Sequence, residues 1–256
     1  MDLGLCDSVA VVVGGASGIG RAIAAAFVEE GARVVAIDLR EAPGLATVVA
    51  DVTDYQAIRR AAAEFVAMEG RIDHVIFAAA IGSGKFGFPF WNLEPSDWDR
   101  VLRVNLVGAA NVAHAFAPIL AEQRRGTILF LASVAGQIGS QTDPPYSASK
   151  AGLINFAQCV AKDCAPYGVR VNALCPGMVQ TPLNRSVWQA WADRQPPETR
   201  QDYETWAAEK IAKLVPLNRW QTPEDIAAMA VFLASDRTRN VTGQTINVDG
   251  GYVMHW

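Results

Sequence analysis

Short runs of β-branched and aliphatic residues recur along this chain, and most are followed by a stretch with helical spacing. The runs read VAVVVG (9–14), RVVAID (33–38), HVIFAA (74–79), TILFLA (127–132), VRVNAL (169–174) and QTINVD (244–249), with a weaker one, ATVVAD, at 46–51. Continuous apolar runs of this length suit strands buried on both faces. Helical periodicity fills about 18–30, 54–69, 96–123, 146–166 and 223–235. Parallel neighbours need a crossover between them, and a helix is the usual one. The alternation therefore predicts an α/β fold: a doubly wound parallel sheet of about seven strands with helices on both faces. The 256 residues show no internal repeat, low-complexity tract or linker, so 1–256 is read as a single domain.

Helix starts are marked locally. Thr222-Pro223-Glu224-Asp225 offers a cap, a proline at the first helical position and early acidic charge. Thr53 with Gln56 has capping-box spacing. Asp97 and Asp99 sit at a helix start, where capping is the default role. One region breaks the alternation. Residues 182–220 hold Trp188, Trp191, Trp206 and Trp220 around RQPPETRQD. Two helices separated by Pro196-Pro197 are expected there, serving as a helical lid over a substrate pocket, as a packing element, or as both.

The first strand runs into GGASGIGRAIAAAF, so Gly14, Gly18 and Gly20 fall at a strand-to-helix turn. Glycine allows the tight turn and a close approach of backbone to a pyrophosphate, and the following helix end offers free N–H groups. Asp38 ends the second strand, where a carboxylate accepts hydrogen bonds from an adenine ribose and repels a 2′-phosphate. Ser17, rather than a basic residue, precedes Gly18. NAD is therefore expected over NADP, although Arg40, two residues beyond Asp38, is placed to meet a phosphate.

Tyr146 and Lys150 lie four residues apart in PPYSASKAGLI, on one helix face. A free phenol titrates near ~10, too high for a base at neutral pH. A neighbouring ammonium favours the phenolate, which brings the phenol toward the range where general acid–base catalysis works. Ser133, upstream, can donate to a substrate oxygen on which charge develops. Ser147, Ala148 and Ser149 keep the helix face small enough for a cofactor. His74, His114 and His255 share no spacing and read as structural or exposed.

These motifs, in this order, resemble the short-chain dehydrogenase/reductase family, and the resemblance runs from Val9 to Gly251. It implies a Rossmann-like fold and a hydride-transferring oxidoreductase. Gly14, Ser17, Gly18, Ile19 and Gly20 then form the diphosphate turn, Asp38 reads the adenine ribose, and Asp51 and Val52 meet the adenine. Asn105, in VNLVGA, kinks its helix and holds a proton-relay water. Ser133, Tyr146 and Lys150 are the catalytic serine and the tyrosine–lysine pair. Ala79 lines the cofactor, and Pro176, Gly177, Val179 and Thr181 hold the nicotinamide carboxamide. VTGQTINVDGG (241–251) matches a closing strand that helps build a tetramer, so a homotetramer is expected. The sequence departs from the family's Asn-Asn-Ala-Gly with Phe77-Ala78-Ala79-Ala80, and Val13 replaces a threonine.

The net charge of −4, without a basic cluster, argues against nucleic acid as a partner. No apolar run reads as long enough for a membrane span, the N-terminus lacks a signal-peptide pattern, and the four cysteines lack metal spacing. A cytoplasmic, metal-free protein is expected. Around the reacting carbon, IGSGKFGFPFWN (81–92) and the lid would contribute Phe86, Phe88, Phe90, Trp91 and Trp188, with Gln137, Gln141 and Asp143 supplying polar groups. That wall suits a small-molecule alcohol or ketone: a sugar, a polyol or a cyclic alcohol. The alternatives are a 3-oxoacyl thioester reductase and a non-catalytic dinucleotide-binding sensor or scaffold.

Overall fold

The computed structural model describes residues 2–140 and 142–254. Seven strands form one parallel sheet: β1 (Val9–Val13), β2 (Arg33–Asp38), β3 (Ala46–Val49), β4 (His74–Phe77), β5 (Gly126–Leu131), β6 (Val169–Pro176) and β7 (Thr245–Val248). Their order is β3-β2-β1-β4-β5-β6-β7, with every neighbour parallel. The chain reverses direction across the sheet between β1 and β4. In doubly wound sheets, ligands bind at the carboxyl ends of the strands beside that switch point.

Helices cover both faces. One apolar layer joins the inward residues of β1, β4, β5 and β6 to α2 (Tyr55–Glu69), α4 (Gly108–Gln123) and α5 (Pro144–Cys164), around Phe65, Phe77, Phe116 and Phe130. The other joins Ala10, Val12, Ile76 and Leu174 to α1 (Gly18–Glu29) and α8 (Pro223–Ala234), around Phe27 and Ile226. Strand residues alternate between the two layers, which is why the strands read as unbroken apolar runs rather than as alternating ones.

The helical stretch predicted over 96–123 is α3 (Ser96–Leu102), a wider π-helical turn at Arg103–Val107, and α4. By length and composition, Ser96–Gln123 as a whole could cross a membrane, contrary to the reading of the sequence as lacking such a run. Within this fold its apolar face packs on the sheet layer, through Ala109, Val112, Phe116 and Leu120.

Local signals resolve with two corrections. Thr222 and Asp225 form the expected reciprocal cap of α8. At α2 the cap is Asp54, not Thr53: its Oδ1 accepts from Gln56 N and Ala57 N, while Thr53 turns to Asp51. Asp97 accepts from Glu94 N ahead of α3, but Asp99 is no cap and pairs instead with Arg103 on the exposed surface. His74 is buried against Thr127 Oγ1 at 2.8 Å, and burial holds its pKa down at about 3, so the ring is neutral. His114 bonds the Tyr55 hydroxyl. His255 lies outside the described residues.

The 182–220 region is α6 (Pro182–Ala192) and α7 (Tyr203–Leu214), with Pro196-Pro197 between them. It has its own small apolar cluster. Trp206, Tyr203, Ile211 and Met178 are buried together, with Trp188, Trp191 and Trp220 packed against them. The aromatic rings meet at 5.3–6.2 Å between centroids, a range typical of favourable offset and edge contacts.

Candidate active site

The turn after β1 makes a cradle. Gly14 has a φ of +85°, and a β-carbon there would stand 2.6 Å from Ala79 N, in backbone contact with the end of β4. Gly18 has a φ of +55°, which also favours glycine. A β-carbon on Gly20 would meet Gly14 O and stand 3.2 Å from Ala78 Cβ. Small residues at 78–80 thus seat the turn against β4, and Ala78 N still bonds Val13 O at 2.8 Å. The departures from the family's asparagine motif leave this packing intact. Ser17 caps α1 by backbone only, and no acidic residue occupies the first turn of α1, so its N–H groups and positive dipole end face an open anion site.

The expected dinucleotide contacts fall along one edge. Asp38, at the carboxyl end of β2, accepts from Ala16 N of the glycine turn at 3.0 Å. Asp51 is exposed beyond β3, with its Oδ1 bonded to Thr53. Val52 is buried against Gly108, and its carbonyl accepts from Asn111. At the far end, Gly177 N bonds Val248 O, and a β-carbon on Gly177 would stand 2.8 Å from Asp249 Cα. Val179 bridges to Gln221. Thr181 caps α6 and reaches back over the turn: a β-carbon on Gly18 would lie 3.8 Å from Thr181 Cγ2. Ile19 packs on the α1 and α8 layer. These residues fit a dinucleotide lying across the strand ends from Asp38 to Thr181. Arg33 is at the opposite end of β2 and pairs with Glu69, so it cannot read a cofactor phosphate there.

Ser133 follows β5, and its hydroxyl accepts from Ala135 N at 3.1 Å. Tyr146 and Lys150 enter from the first turns of α5, and the ammonium lies 5.5 Å from the tyrosine ring centroid. Gly136 lets this loop close on α5: a β-carbon there would be 2.6 Å from Lys150 C. Lys150 is 2 % exposed, so it belongs to the interior, and its Nζ donates to Leu131 O at 2.6 Å. Burial moves the titrating groups apart from their usual values. The Tyr146 phenol is pushed up to about 12, chiefly by desolvation, with the Ser133 hydroxyl opposing and Asp143 adding to the rise. Desolvation brings Lys150 down to about 8. Cys175, behind the pair on β6, is pushed up to about 12 by burial and stays a neutral thiol. The sequence reading expected the ammonium to lower the phenol. Burial of the phenol sets the direction instead, and the Lys150 Nζ donates to Leu131 O rather than to the phenol.

Asn105 is fully buried at the centre of the π turn. Its amide bonds both backbone groups of Ile81 at 2.9 Å and donates to Ser149 Oγ at 3.0 Å. The widened turn turns this side chain toward α5 and the loop after β4.

The aromatic wall is not where the sequence reading put it. Phe88, Phe90 and Trp91 are exposed. Trp188 stacks edge-on with Tyr203, and its Nε1 donates to Gln201 O. Helical spacing explains the miss: Trp188 and Trp191 face the α7 cluster, whereas Leu183, Ser186 and Ala190 make a neighbouring face of α6, with Val187 between the two and touching both. Leu183 approaches Gly82, and Ser186, Val187 and Ala190 line a small groove with Gly82, Gly84, Lys85, Thr142 and Asp143. Gln137 is engaged in two hydrogen bonds with Asn247. Gln141 lies outside the described residues. Among the described residues no cluster of three or more His, Cys, Asp or Glu could hold a metal ion.

A parallel sheet with a glycine cradle at its switch point, and a serine, tyrosine and lysine gathered at the next strand ends, defines a dinucleotide-dependent oxidoreductase. Residues 14–253 match the family model described as enoyl-(acyl carrier protein) reductase. The chain is 36% identical over 259 residues to the 3-oxoacyl-(acyl-carrier-protein) reductase FabG of Thermotoga maritima, covering 96% of this chain and 98% of that one. It is 33% identical over 267 residues to D-threitol dehydrogenase of Mycolicibacterium smegmatis, covering 99% and 95%. Its backbone matches ligand-free aldohexose dehydrogenase of Thermoplasma acidophilum with a TM-score of 0.88 at 28% identity, covering 98% and 96%. The chain belongs to the short-chain dehydrogenase/reductase family.

Proposed function

We propose that this protein interconverts a small polyhydroxylated secondary alcohol, a sugar or polyol, and its ketone, with NAD(H) as the redox partner. Asp143 carries the reading: it accepts from Tyr146 N at the start of α5 and lines a small groove whose other polar members are Thr142, Ser186 and Lys85. These groups offer partners to substrate hydroxyls, between the apolar Val187 and Ala190. The cations beside it are engaged: Lys85 pairs with Asp97 at 2.7 Å, and Arg185 lies 4.2 Å from the Tyr203 ring centroid. In this reading the bound nicotinamide takes or returns the hydride. Tyr146 moves the hydroxyl proton, Ser133 donates to the reacting oxygen, and Lys150 holds positive charge behind the phenol.

The second reading is reduction of a 3-oxoacyl thioester, favoured by the 36% identity to the Thermotoga maritima reductase. A panel of polyols, aldohexoses, cyclic alcohols and acetoacetyl-CoA, assayed with NAD(H) and NADP(H), separates the two. Polyol- or sugar-dependent NADH formation supports the proposal. Turnover confined to acetoacetyl-CoA overturns it, and silence throughout with intact NADH binding points to a sensor or scaffold.

Asp38 supports NAD over NADP, since its carboxylate already sits against the glycine turn where a 2′-phosphate would have to lie. Asp38→Ala should weaken NAD about tenfold and narrow the gap to NADP, read from the KM of each. A wild-type protein that prefers NADP would transfer the role to exposed Arg40.

We further propose that α6 and α7 close over bound substrate, that the chain acts in the cytoplasm, and that it assembles as a homotetramer. Cofactor with a polyol product should then protect 182–215 from protease and alter tryptophan fluorescence, because four tryptophans lie in or beside that cluster. Cleavage at the same rate with and without ligands would identify the two helices as a fixed packing element.

A further inference from the structure

The loop after β4 is tied at every second residue. Asn105 holds both backbone groups of Ile81, Asp143 Oδ2 accepts from Ser83 N at 2.8 Å, and Lys85 Nζ bonds Asp97 at 2.7 Å. Gly87 N then bonds Thr142 O at 2.9 Å. The intervening residues Gly82 and Gly84 are glycines. Gly84 has a φ of +76°, which favours glycine, and a β-carbon on Gly82 would press on Asp143 Oδ2 at 2.8 Å.

Asp143 differs from the other ties. It is 8 % exposed, and its Oδ1 caps α5 by accepting from Tyr146 N at 3.4 Å. One buried carboxylate therefore binds the loop and the backbone of the catalytic tyrosine together. We propose that Asp143 is a positioning residue acting through Tyr146: its one buried carboxylate locks the substrate-side loop to the backbone of the catalytic tyrosine at the start of α5. This rests on Tyr146 being the acid–base group of the proposed reaction.

The charged and titratable groups around the phenol are few. Lys150 approaches from the same helix with its charge on Leu131 O, Cys175 faces it from β6 as a neutral thiol, and Asp249 lies beyond Cys175. Across the groove, the Lys85 ammonium is paired with Asp97. Of this set, Asp143 is the charge that adds most to the rise that burial causes. Burial also lifts Asp143 itself, while the Ser83 and Tyr146 bonds oppose that rise and favour its ionised form. Asp143 also lines the groove, where a substrate hydroxyl can donate to its carboxylate. A substrate carboxylate would be repelled.

Two variants test the charge without removing the cap. Asp143→Asn and Asp143→Ser both keep an oxygen that can accept from Tyr146 N, and both are neutral. The phenol is followed by fluorine NMR of protein grown with 3-fluorotyrosine, whose five tyrosine signals are assigned with Tyr146→Phe. Both variants should lower the Tyr146 midpoint by roughly half a pH unit or more, and the acid limb of kcat/KM for alcohol oxidation should fall with it. Thermal melts confirm that the variants are folded. Unchanged or raised midpoints in folded variants overturn the proposal and leave Asp143 as a helix cap only. Because the NMR midpoint needs no substrate, it is read even where the polyol reading fails. Turnover that survives in Tyr146→Phe, by contrast, removes the acid–base reading while leaving the midpoint shift measurable.

Discussion

Tyr146→Phe is expected to leave NADH binding within about twofold of wild type and to lower turnover by about 10²–10⁴-fold, the usual contribution of a positioned proton donor or acceptor. The substitution removes one oxygen. The ring keeps its place at the start of α5, where the backbone N–H of residue 146 is capped by Asp143. The phenol's side-chain partner is Ser133, whose hydroxyl also accepts from Ala135 N, so the loop after β5 keeps its own brace. The loss should therefore appear in kcat and kcat/KM together, the pattern of an interaction made in the transition state. Fluorescence titration with NADH and steady-state rates on the best substrate of the panel provide the check. Turnover within about tenfold of wild type would show that another group moves the proton.

The strands were legible because burial on both faces leaves an unmistakable pattern: Val9–Val13 is buried at every position. The cradle was legible because only glycine tolerates the contacts at Gly14 and Gly20. The tyrosine–lysine pair was legible by spacing, but its electrostatics were not. The phenol's direction depends on its burial as well as on neighbouring charge, and burial at this point of α5 is a tertiary property that no sequence pattern announces. The substrate wall failed for a related reason. Composition counted Trp188 and Phe90 as pocket residues, yet helix phase turns Trp188 to α7 and Phe90 lies 67% exposed. Reading the phase from Leu183 through Ser186 to Ala190 would have found the neighbouring face. Asn105 was found by resemblance alone, because its position depends on a π turn with no local signature.

Lys150→Met should remove most turnover, about a hundredfold or more, without lowering the melting temperature at pH 7. The structure makes this lysine costly to keep. Its ammonium is almost fully enclosed, and burial holds the folded-state value near about 8 against an ordinary 10.5. A difference of that size corresponds to about 3 kcal/mol of destabilisation at neutral pH. Methionine fills a similar volume without charge, although it leaves the Leu131 carbonyl short of a donor, at about 1–3 kcal/mol. The two terms nearly cancel, so the melting temperature of the variant should match or exceed that of wild type. The pH dependence carries the sign. Lys150 has a depressed folded value, so its contribution to wild-type stability rises from pH 8 toward pH 10.5 as the buried ammonium loses its proton. Tyr146 has a raised one, so its contribution is present below pH 10 and lost toward pH 12. Cys175, raised from 9 to about 12, opposes the gain above pH 9, so wild type should gain stability between about pH 8 and 9, and Lys150→Met should lack that gain. Thermal melts across this range decide the matter. A variant that melts well below wild type at pH 7 yet turns over normally would make Lys150 a structural residue and leave the proton chemistry to Tyr146 and Ser133 alone.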